Sequence, residues 1–453
     1  MFYGCFPLFS YAADERRVEE ESRMSADAAV PKLSQEYQRW LLEYGGWFNF
    51  RFTEFKNDDN DNSLTDSFDS SFSMDSRAWI KATLKPAPEA EHDRRHSFYL
   101  RLKNLYIERY GDSSVERYDN DGPHVDYAFA VLDFTPYRIE VGRRYFNVGR
   151  GIAYSNVNDG LQFNYFKPGW NFGGFVSHTL PHEDNLDASV PGFDKESDRI
   201  FYGLGAGYAG IKDNVFYGFA LVQRDDSEER PNDPTQDYDY HSEYFGLGAK
   251  GRLVKRFDYW LELIRQTGQS RVPGTNAKAD VDAYAANAGL QTNFNVVTQP
   301  RLTFEYAFGS GDEDRSDVTD TIGGNTGSKD SNFNYFGYMP TGIALAPRLS
   351  NLHMLRAGFD FKPMERLFLL RDMGVSLNYY YFRKDKSTGG ISDLDATMAD
   401  KDIGQEIDVE ISYRIFSDLA LSLEYGHFMP GDAFAEGTDD EEDYFSVSLT
   451  HSF

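Results

Sequence analysis

The sequence predicts an all-β chain folded as a single transmembrane antiparallel β-barrel of about eighteen strands, with short periplasmic turns and long extracellular loops. The first observation is the C-terminal segment 445–453, FSVSLTHSF, in which an apolar or aromatic residue alternates with serine or threonine. One apolar face and one hydroxyl face are typical of a strand between hydrocarbon and a wet lumen. Taken alone, this segment is also compatible with the edge strand of a soluble sandwich.

Composition is the second observation. Phe, Trp and Tyr make up 16% of the 453 residues, yet the mean hydropathy is −0.58. Many aromatic residues at low mean hydropathy fit a barrel with aromatic girdles at the membrane interfaces and a polar lumen. No apolar run approaches the ~20 residues that a spanning helix needs. The net charge of −27 argues against nucleic acid as a partner.

The third observation is the spacing of the connections between alternating segments of about ten residues. Short connections fall at 135–137, 167–169, 210–214 and 254–257, and long ones at 57–69, 181–197, 225–239, 310–350 and 386–399. Two classes of connection are typical of turns on one side of a membrane and loops on the other. An even strand number places both chain ends in the periplasm. The barrel itself is expected to span the bacterial outer membrane.

The N-terminal region is expected to lie outside the barrel. Residues 1–13 are apolar and end in Ser-Tyr-Ala-Ala, which resembles a signal-peptide cleavage site, so we interpret them as a truncated leader. Acylation of Cys5 is the alternative interpretation of this segment. Residues 14–45 are predicted to be a periplasmic lead-in with helical character at 38–42, and residues 46–453 are predicted to form the barrel.

Strand alternation assigns side chains to the lumen. Phe48, Phe50 and Phe52 share the lipid face of the first predicted strand, since a charge there near the midplane would cost about 2–4 kcal/mol. The same alternation makes Leu100, Leu102, Phe359, Phe361, Leu421 and Leu423 lipid-facing. It predicts a bipolar pore lining that consists of Arg51, Arg77, Lys81, Arg101, Lys103, Arg144, Arg356, Glu406, Asp408, Glu410 and Glu424. Glu140, Glu305 and Asp360 are predicted to face inward as well.

Two C-terminal motifs carry a family resemblance. Residues 401–409 read KDIGQEIDV, and MPGDAF at 429–434 is followed by GTD at 437–439. In these motifs the sequence resembles the alginate export family of outer-membrane porins. Weaker matching pieces occur in the same order along most of the chain: DSRAW at 75–79, GRR at 142–144 and LSNL at 349–352.

The resemblance implies an eighteen-stranded barrel that passes an anionic exopolysaccharide outward through a constriction lined by arginine and lysine. By the same resemblance, Arg51, Arg77 and either Arg143 or Arg144 match basic residues of the family's lumen. The sequence departs from the family at Ser422 and Glu424, where the family has arginines, and a further family arginine is replaced by Ala128. A reversed charge in a neck of low dielectric counts for about 4 kcal/mol at ~4 Å, so alginate specificity is in doubt.

Two interpretations of the inward charges remain open. In the structural interpretation, inward bases pair with inward acids on neighbouring strands and pack the lumen. In the functional interpretation, the same charges line the path of a charged or hydroxylated solute. Both can hold for one barrel.

Acidic runs and catalytic sets give weaker signals. Residues 58–62 and 311–314 are rich in aspartate, but the first run lacks the glycine and glutamate of an EF-hand loop. Solvated loops, or loops bridged to lipopolysaccharide by divalent ions, account for them equally well. Glu406 and Asp408 are close in sequence, but no nucleophile elbow, HExxH or Cys/His set accompanies them. We therefore expect no enzyme, cofactor or metal.

The sequence thus predicts a passive channel for a hydrophilic, charged oligo- or polysaccharide, with a nutrient-uptake porin for small polar solutes as the alternative. Expected partners are outer-membrane lipid, lipopolysaccharide, a periplasmic export partner, and the barrel-assembly machinery acting through the C-terminal Phe453. The sequence leaves open the direction of flow and whether segment 310–350 plugs the pore.

Overall fold

Nineteen strands and no helix are found in the part of the chain that the computed structural model describes, residues 33–37, 40–57, 70–84, 96–110, 118–180, 197–227, 240–254, 256–272, 277–315, 318 and 329–453. The strands are β1 (Leu33–Tyr37), β2 (Trp40–Lys56), β3 (Ser70–Leu84), β4 (His96–Tyr110), β5 (Tyr118–Phe134), β6 (Tyr137–Asn147), β7 (Ser155–Lys167), β8 (Trp170–His178), β9 (Arg199–Tyr208), β10 (Asn214–Asp225), β11 (His241–Val254), β12 (Phe257–Arg271), β13 (Lys278–Asn293), β14 (Arg301–Gly309), β15 (Leu352–Phe361), β16 (Gly374–Lys384), β17 (Asp402–Phe416), β18 (Leu419–Pro430) and β19 (Glu442–Ser452). None of the described elements is a helix long and apolar enough to cross a bilayer.

Strands β2 to β19 form a closed antiparallel barrel of eighteen strands. Each pairs with its neighbour in sequence, and β19 closes on β2 through pairs from Asp443↔Lys56 to Ser452↔Trp47. Closure leaves no strand edge with unpaired backbone groups, which would be costly in the hydrocarbon core of a membrane. The predicted fold class and strand number are confirmed.

The entry into the barrel differs from the prediction. The helical character expected at 38–42 is wrong for the described residues, because Trp40 already begins β2 and pairs with Leu84 of β3. The short strand β1 pairs with the same stretch on the other side, from Leu33↔Tyr44 to Tyr37↔Trp40. Pairing on both sides satisfies the backbone here and overrides local helix propensity. Residues 1–32, which include the expected leader and Cys5, lie outside the described residues.

The outward face follows the predicted alternation. Phe48, Phe50 and Phe52 are 37–38% exposed, whereas the inward Thr53 is 8% exposed. Leu102 is 43% and its neighbour Arg101 is 5% exposed. Near the periplasmic end, outward aromatic rings pack against each other, across strands in Tyr137–Tyr165 and Trp170–Tyr208 and along β8 in Trp170–Phe172. Such a row is the aromatic girdle of a membrane barrel.

Connections on the side of the chain ends are short. Residues 135–136, 168–169 and 417–418 are two-residue turns, and the longer turns 294–300 and 362–373 lie on the same side. The opposite, extracellular side carries the long connections, among them 310–351 and 385–401. These two extracellular connections, together with 148–154, supply buried side chains to the main apolar cluster and so fold into the barrel.

Candidate functional site

The segment 329–350, here called the inserted loop, occupies part of the lumen. Its Phe333 is fully buried, and its Phe336 ring lies 5.2 Å from the Phe201 ring of β9. Tyr244 Oη of β11 donates a hydrogen bond of 2.8 Å to the Asn334 carbonyl. The aromatic side chains of this 22-residue loop thus contact inward residues of several strands. The sequence left open whether segment 310–350 plugs the pore, and in the structure its inserted loop occupies part of the lumen.

A buried ion pair fixes the start of the inserted loop. Arg315 Nη2 lies 2.7 Å from Asp330 Oδ2, and both side chains are 1% exposed. The Asp330 backbone also bonds β13, with its N–H donating to the Asp280 carbonyl and its carbonyl accepting from Asp282. Breaking one partner of such a pair costs several kcal/mol, so the pair favours a single loop position.

Glu406 holds the other half of the inserted loop. Its carboxylate accepts hydrogen bonds from the backbone N–H groups of Ile343, Ala344 and Leu345 at 2.6, 2.9 and 3.1 Å. The residue is 0% exposed. The expectation that Glu406 lines the passage is therefore wrong, because the three amides cover the carboxylate and make it an anchor.

Exposure of the inward side chains is uneven around the barrel. On the wall from β7 to β13, nine inward polar side chains are packed against each other and the loops and are 0–1% exposed: Asn158, Gln162, Asn164, Ser177, Gln223, Ser242, Glu262, Gln266 and Asn287. The opposite wall borders a cavity of ≈ 660 Å³ that extends from the turn 417–418 into the lumen. Its inward polar lining includes Asn49, Arg51, Ser73, Asp75, Ser412, Arg414, Ser422, Glu424, Ser448 and Thr450. This cavity therefore lies along β2, β3 and β17–β19.

Arg77 and Arg101 are brought together by one carboxylate. Asp126 Oδ2 lies 2.6 Å from Arg101 Nε and 3.3 Å from Arg77 Nη1, while Arg77 also contacts Asp75 at 2.7 Å. The Arg101 guanidinium stacks 4.1 Å from the Tyr127 ring centre. Both arginines face inward as predicted, but each is paired with acid, as the structural interpretation requires.

Asp126 was missed by the strand alternation. A register shift between Arg101 and Leu102 leaves Asp126 without a cross-strand partner, between Val125 and Tyr127. Such a bulge changes the direction of a side chain, and here Asp126 points toward Arg77 and Arg101. The Gly122-Pro123 step in the same strand is the one sequence signal of irregular pairing.

The structure distinguishes Arg144 from Arg143. Arg144 faces inward, where it contacts Glu140 and lies 5.5 Å from the Phe146 ring centre. Arg143 faces outward and pairs with Asp159 of β7 at 3.0 Å. Gly142 has a φ of +120° and packs so closely on β5 that a Cβ would lie 2.2 Å from the Ala128 carbonyl oxygen. This close approach fixes the position of β6 against β5 next to Arg143 and Arg144.

Ala128 occupies an outward position. It pairs directly with Leu100, which faces lipid, whereas its neighbours Tyr127 and Phe129 face inward. The expectation that Ala128 stands in place of a lumenal arginine is therefore wrong, because directly paired residues share one face of the sheet.

Arg356 belongs to a second ion-pair group. Its Nη1 lies 3.3 Å from Glu305 Oε2, and Arg150 of the connection 148–154 approaches the same carboxylate at 3.9 Å. The Arg150 guanidinium also lies 4.9 Å from the Trp260 ring centre. Arg150 was missed because its connection carries no alternation that could assign it to the lumen.

The remaining predicted residues lie on the open wall or beside it. Arg51 pairs across the sheet with Ser73 and Ser448, and Lys103 with Arg77 and His124. Lys81 Nζ lies 4.0 Å from Glu43 Oε2. Glu410 is directly opposite Glu424 on β18, and Asp408 is 4% exposed. Carboxylates therefore dominate the β17–β18 part of the wall.

The second acidic run is part of the loop structure. Asp312 accepts hydrogen bonds from the backbone N–H groups of Ser331 and Asp314 at 2.9 and 3.0 Å. The first run, 58–62, falls outside the described residues. Within the described ranges, no group of three or more His, Cys, Asp or Glu side chains is arranged to hold a metal ion.

Comparison with protein families decides the class. The model of the alginate export family matches residues 50–448. The chain belongs to this family. Members of the alginate export family are channel proteins of the bacterial outer membrane, so this chain contacts outer-membrane lipid and passes polar solutes. A comparison with curated proteins gives no significant match.

Solved porins share the fold. Acinetobacter baumannii OccAB1 is 10% identical with a TM-score of 0.56, covering 91% of this chain and 96% of that chain. OccAB4 from the same organism is 13% identical with a TM-score of 0.54, covering 93% and 100%. Pseudomonas aeruginosa OpdK, solved with vanillate, is 11% identical with a TM-score of 0.53, covering 91% and 98%. At these identities the likeness extends to the fold alone.

Proposed function

We propose that this alginate export family member is a passive channel for a hydrophilic, charged oligo- or polysaccharide, which moves along the wall formed by β2, β3 and β17–β19. The observation that carries the proposal is the uneven exposure of the lumen. Nine inward polar side chains from β7 to β13 are at most 1% exposed, whereas inward residues of β2, β3 and β17–β19 border the ≈ 660 Å³ cavity.

The chemistry of the open wall suits a carbohydrate. Ser73, Ser412, Ser422, Ser448 and Thr450 supply hydroxyl groups along neighbouring strands. Translocation of a chain needs many weak polar contacts and no tight site, which such a wall provides. The proposal involves no catalytic step and no cofactor, and it leaves Arg51 and Glu424 to set the preference for charge.

Uptake of a small polar solute is the second candidate. The inserted loop narrows the lumen and is fixed by a buried ion pair and by Glu406. A narrow, fixed passage favours a small solute over a polymer, and OpdK was solved with the aromatic carboxylate vanillate.

Current block in planar bilayers distinguishes the two candidates. We expect uronic-acid oligomers to interrupt the current for times that lengthen with chain length, and vanillate to leave it unchanged. Neutral malto-oligosaccharides of equal length serve as the control for charge. Block by vanillate without block by either oligosaccharide series would contradict the first proposal and support small-solute uptake.

Two partners belong to the same proposal. Phe453 pairs its backbone with Gly46 in both directions and its side chain is 49% exposed on the outward face, so the barrel-assembly machinery can reach it. A periplasmic protein would feed the polysaccharide to the channel. Deletion of Phe453 should lower the amount of folded barrel in the outer membrane, which heat-modifiable gel mobility measures.

A further inference from the structure

The periplasmic turn 362–373 exposes an unusual apolar tip. It reads KPMERLFLLRDM, and Leu367, Phe368 and Leu369 are 55%, 79% and 77% exposed. Hydrogen bonds from Leu367 N–H to the Met364 carbonyl and from Leu370 N–H to the Leu367 carbonyl hold the tip in a compact turn. Three adjacent large apolar side chains left open to water would be costly, since removal of apolar surface from water is favourable.

The tip is continuous with the lipid-facing surface of the barrel. Phe361, which precedes the turn, stacks on the outward Phe359 at 5.2 Å. Tyr413 Oη, on the outward face of β17, donates a 2.6 Å hydrogen bond to the Leu369 carbonyl. The contact draws the tip to the outside of the barrel wall, at the level where Tyr side chains mark the membrane interface.

The neighbouring turn 294–300 extends the same surface. The Lys362 N–H donates to the Thr298 carbonyl at 2.8 Å, and Gln299 Nε2 donates to Glu365 Oε1 at 3.1 Å. That turn exposes Val296 and Val297 at 56% and 45%. The two turns together form one apolar surface beneath β14–β17.

The charges around the tip favour one kind of partner. Arg366 and Arg371 flank the apolar run and are exposed, and Arg371 Nε lies 3.5 Å from the exposed carboxylate of Asp372. The Arg371 guanidinium lies 5.4 Å from the Phe368 ring centre. Apolar side chains between basic ones are typical of segments that lie in the headgroup region of an anionic bilayer.

We propose that the turn 362–373 inserts its Leu367–Leu369 tip into the periplasmic leaflet of the outer membrane, with Arg366 and Arg371 at the headgroups of anionic phospholipids. The turn is then a membrane anchor that fixes the depth and tilt of the β15–β16 side of the barrel. This role is independent of the solute that the channel passes.

Fluorescence quenching tests the anchor. A polarity-sensitive NBD label is attached at Phe368→Cys or at Leu369→Cys in a Cys5→Ser background, and the folded barrel is reconstituted in phosphatidylcholine–phosphatidylglycerol vesicles. Lys212→Cys, exposed in the periplasmic turn 209–213, is the matched control. We expect labels at 368 and 369 to be quenched by lipids brominated near the headgroup end and to be several-fold less accessible to iodide than the label at 212.

Two outcomes would overturn the proposal. Iodide quenching at 368 and 369 equal to that at 212, without quenching by brominated lipid, would show that the tip projects into water and serves another partner. Unchanged lipid quenching after Arg366→Gln and Arg371→Gln, in vesicles with and without phosphatidylglycerol, would show that these arginines do not anchor the turn to anionic headgroups.

Discussion

Glu424 and Glu410 face each other across β17 and β18, and Glu424 borders the cavity. We predict weak anion preference or none for the unmodified channel, because these carboxylates offset Arg51 on the same wall. Glu424→Arg should shift selectivity toward anions, since one unit charge at ~4 Å counts for about 4 kcal/mol at an effective dielectric constant of 20. Reversal potentials in a salt gradient measure the shift.

The control for this substitution is Glu54→Arg, which makes the same charge change on the outward face. It should leave the reversal potential unchanged. Strong anion selectivity of the unmodified protein that persists in Glu424→Arg would place the constriction elsewhere and would show that the basic residues alone govern passage.

Single residues also show where prediction from the sequence ends. The inward positions of Arg51, Arg77, Arg101 and Arg356 followed from alternation, because a strand has a period of two and a charge on the lipid face is costly. Asp126 could not be found this way, since a bulge changes the period locally. Pairing of the arginines with acids depends on side-chain geometry that the sequence does not contain.

At the scale of elements, strands were predictable and the inserted loop was not. A strand in a membrane barrel shows its two environments in its own alternation. The position of the inserted loop depends on contacts such as that between Phe333 and Tyr244, which are far apart in the sequence. Length alone indicated that segment 310–350 was a loop, but its fully buried Phe333 and Leu349 show that it packs inside the barrel and occupies part of the lumen.

Removal of the Glu406 charge should loosen the inserted loop. In Glu406→Gln the side-chain NH₂ group faces backbone N–H donors, so part of the three-amide cradle is lost, and a hydrogen bond to a charged group contributes about 1.5–3 kcal/mol. We expect higher single-channel conductance with more frequent fluctuations. Glu243→Gln, which removes an equal charge from the outward pair with Arg224, should leave conductance unchanged. Identical traces for both variants and the unmodified protein would contradict the anchoring role.

The connection 385–401 should show a pH dependence. Burial raises the pKa of the Asp393 carboxyl from 3.8 to about 6, outweighing the opposing hydrogen bond from the Asp395 N–H. Because the folded pKa lies above the unfolded value, the folded connection binds the proton more tightly, and its stability falls as pH rises from 3.8 to about 6 and then stays level.

Hydrogen exchange of the connection's amides measures this effect. We expect protection, corrected for the intrinsic exchange rate, to fall by roughly a hundredfold over that pH range, because a pKa difference of about two between folded and unfolded connection corresponds to two factors of ten. Asp393→Asn keeps the acceptor for Asp395 and should abolish the dependence. Asp432→Asn, at an exposed loop position, is the control. A pH profile that Asp393→Asn leaves unaltered would assign the effect to another group.

At the scale of the whole molecule, the closed barrel supplies the membrane-spanning wall and the inserted loop fills one side of its interior. The sequence predicted the barrel, its strand number and its family resemblance from alternation and motifs. It did not predict that the lumen is divided, because the division results from loops packing against inward residues of β7 to β13. The proposed passage therefore lies next to β2 and β19, the two strands whose pairing closes the barrel.

Paired cysteine accessibility tests the position of this passage most directly. Ser73 and Ser242 are both inward-facing serines, but Ser73 borders the cavity and Ser242 is 0% exposed and donates to Gln223 Oε1 at 3.0 Å. Each is changed to cysteine in a Cys5→Ser background and treated with a membrane-impermeant charged thiosulfonate during recording. We predict rapid modification and a stepwise loss of current for Ser73→Cys, and no change for Ser242→Cys. Rapid modification of Ser242→Cys with block of the current, while Ser73→Cys stays unreactive, would contradict the account.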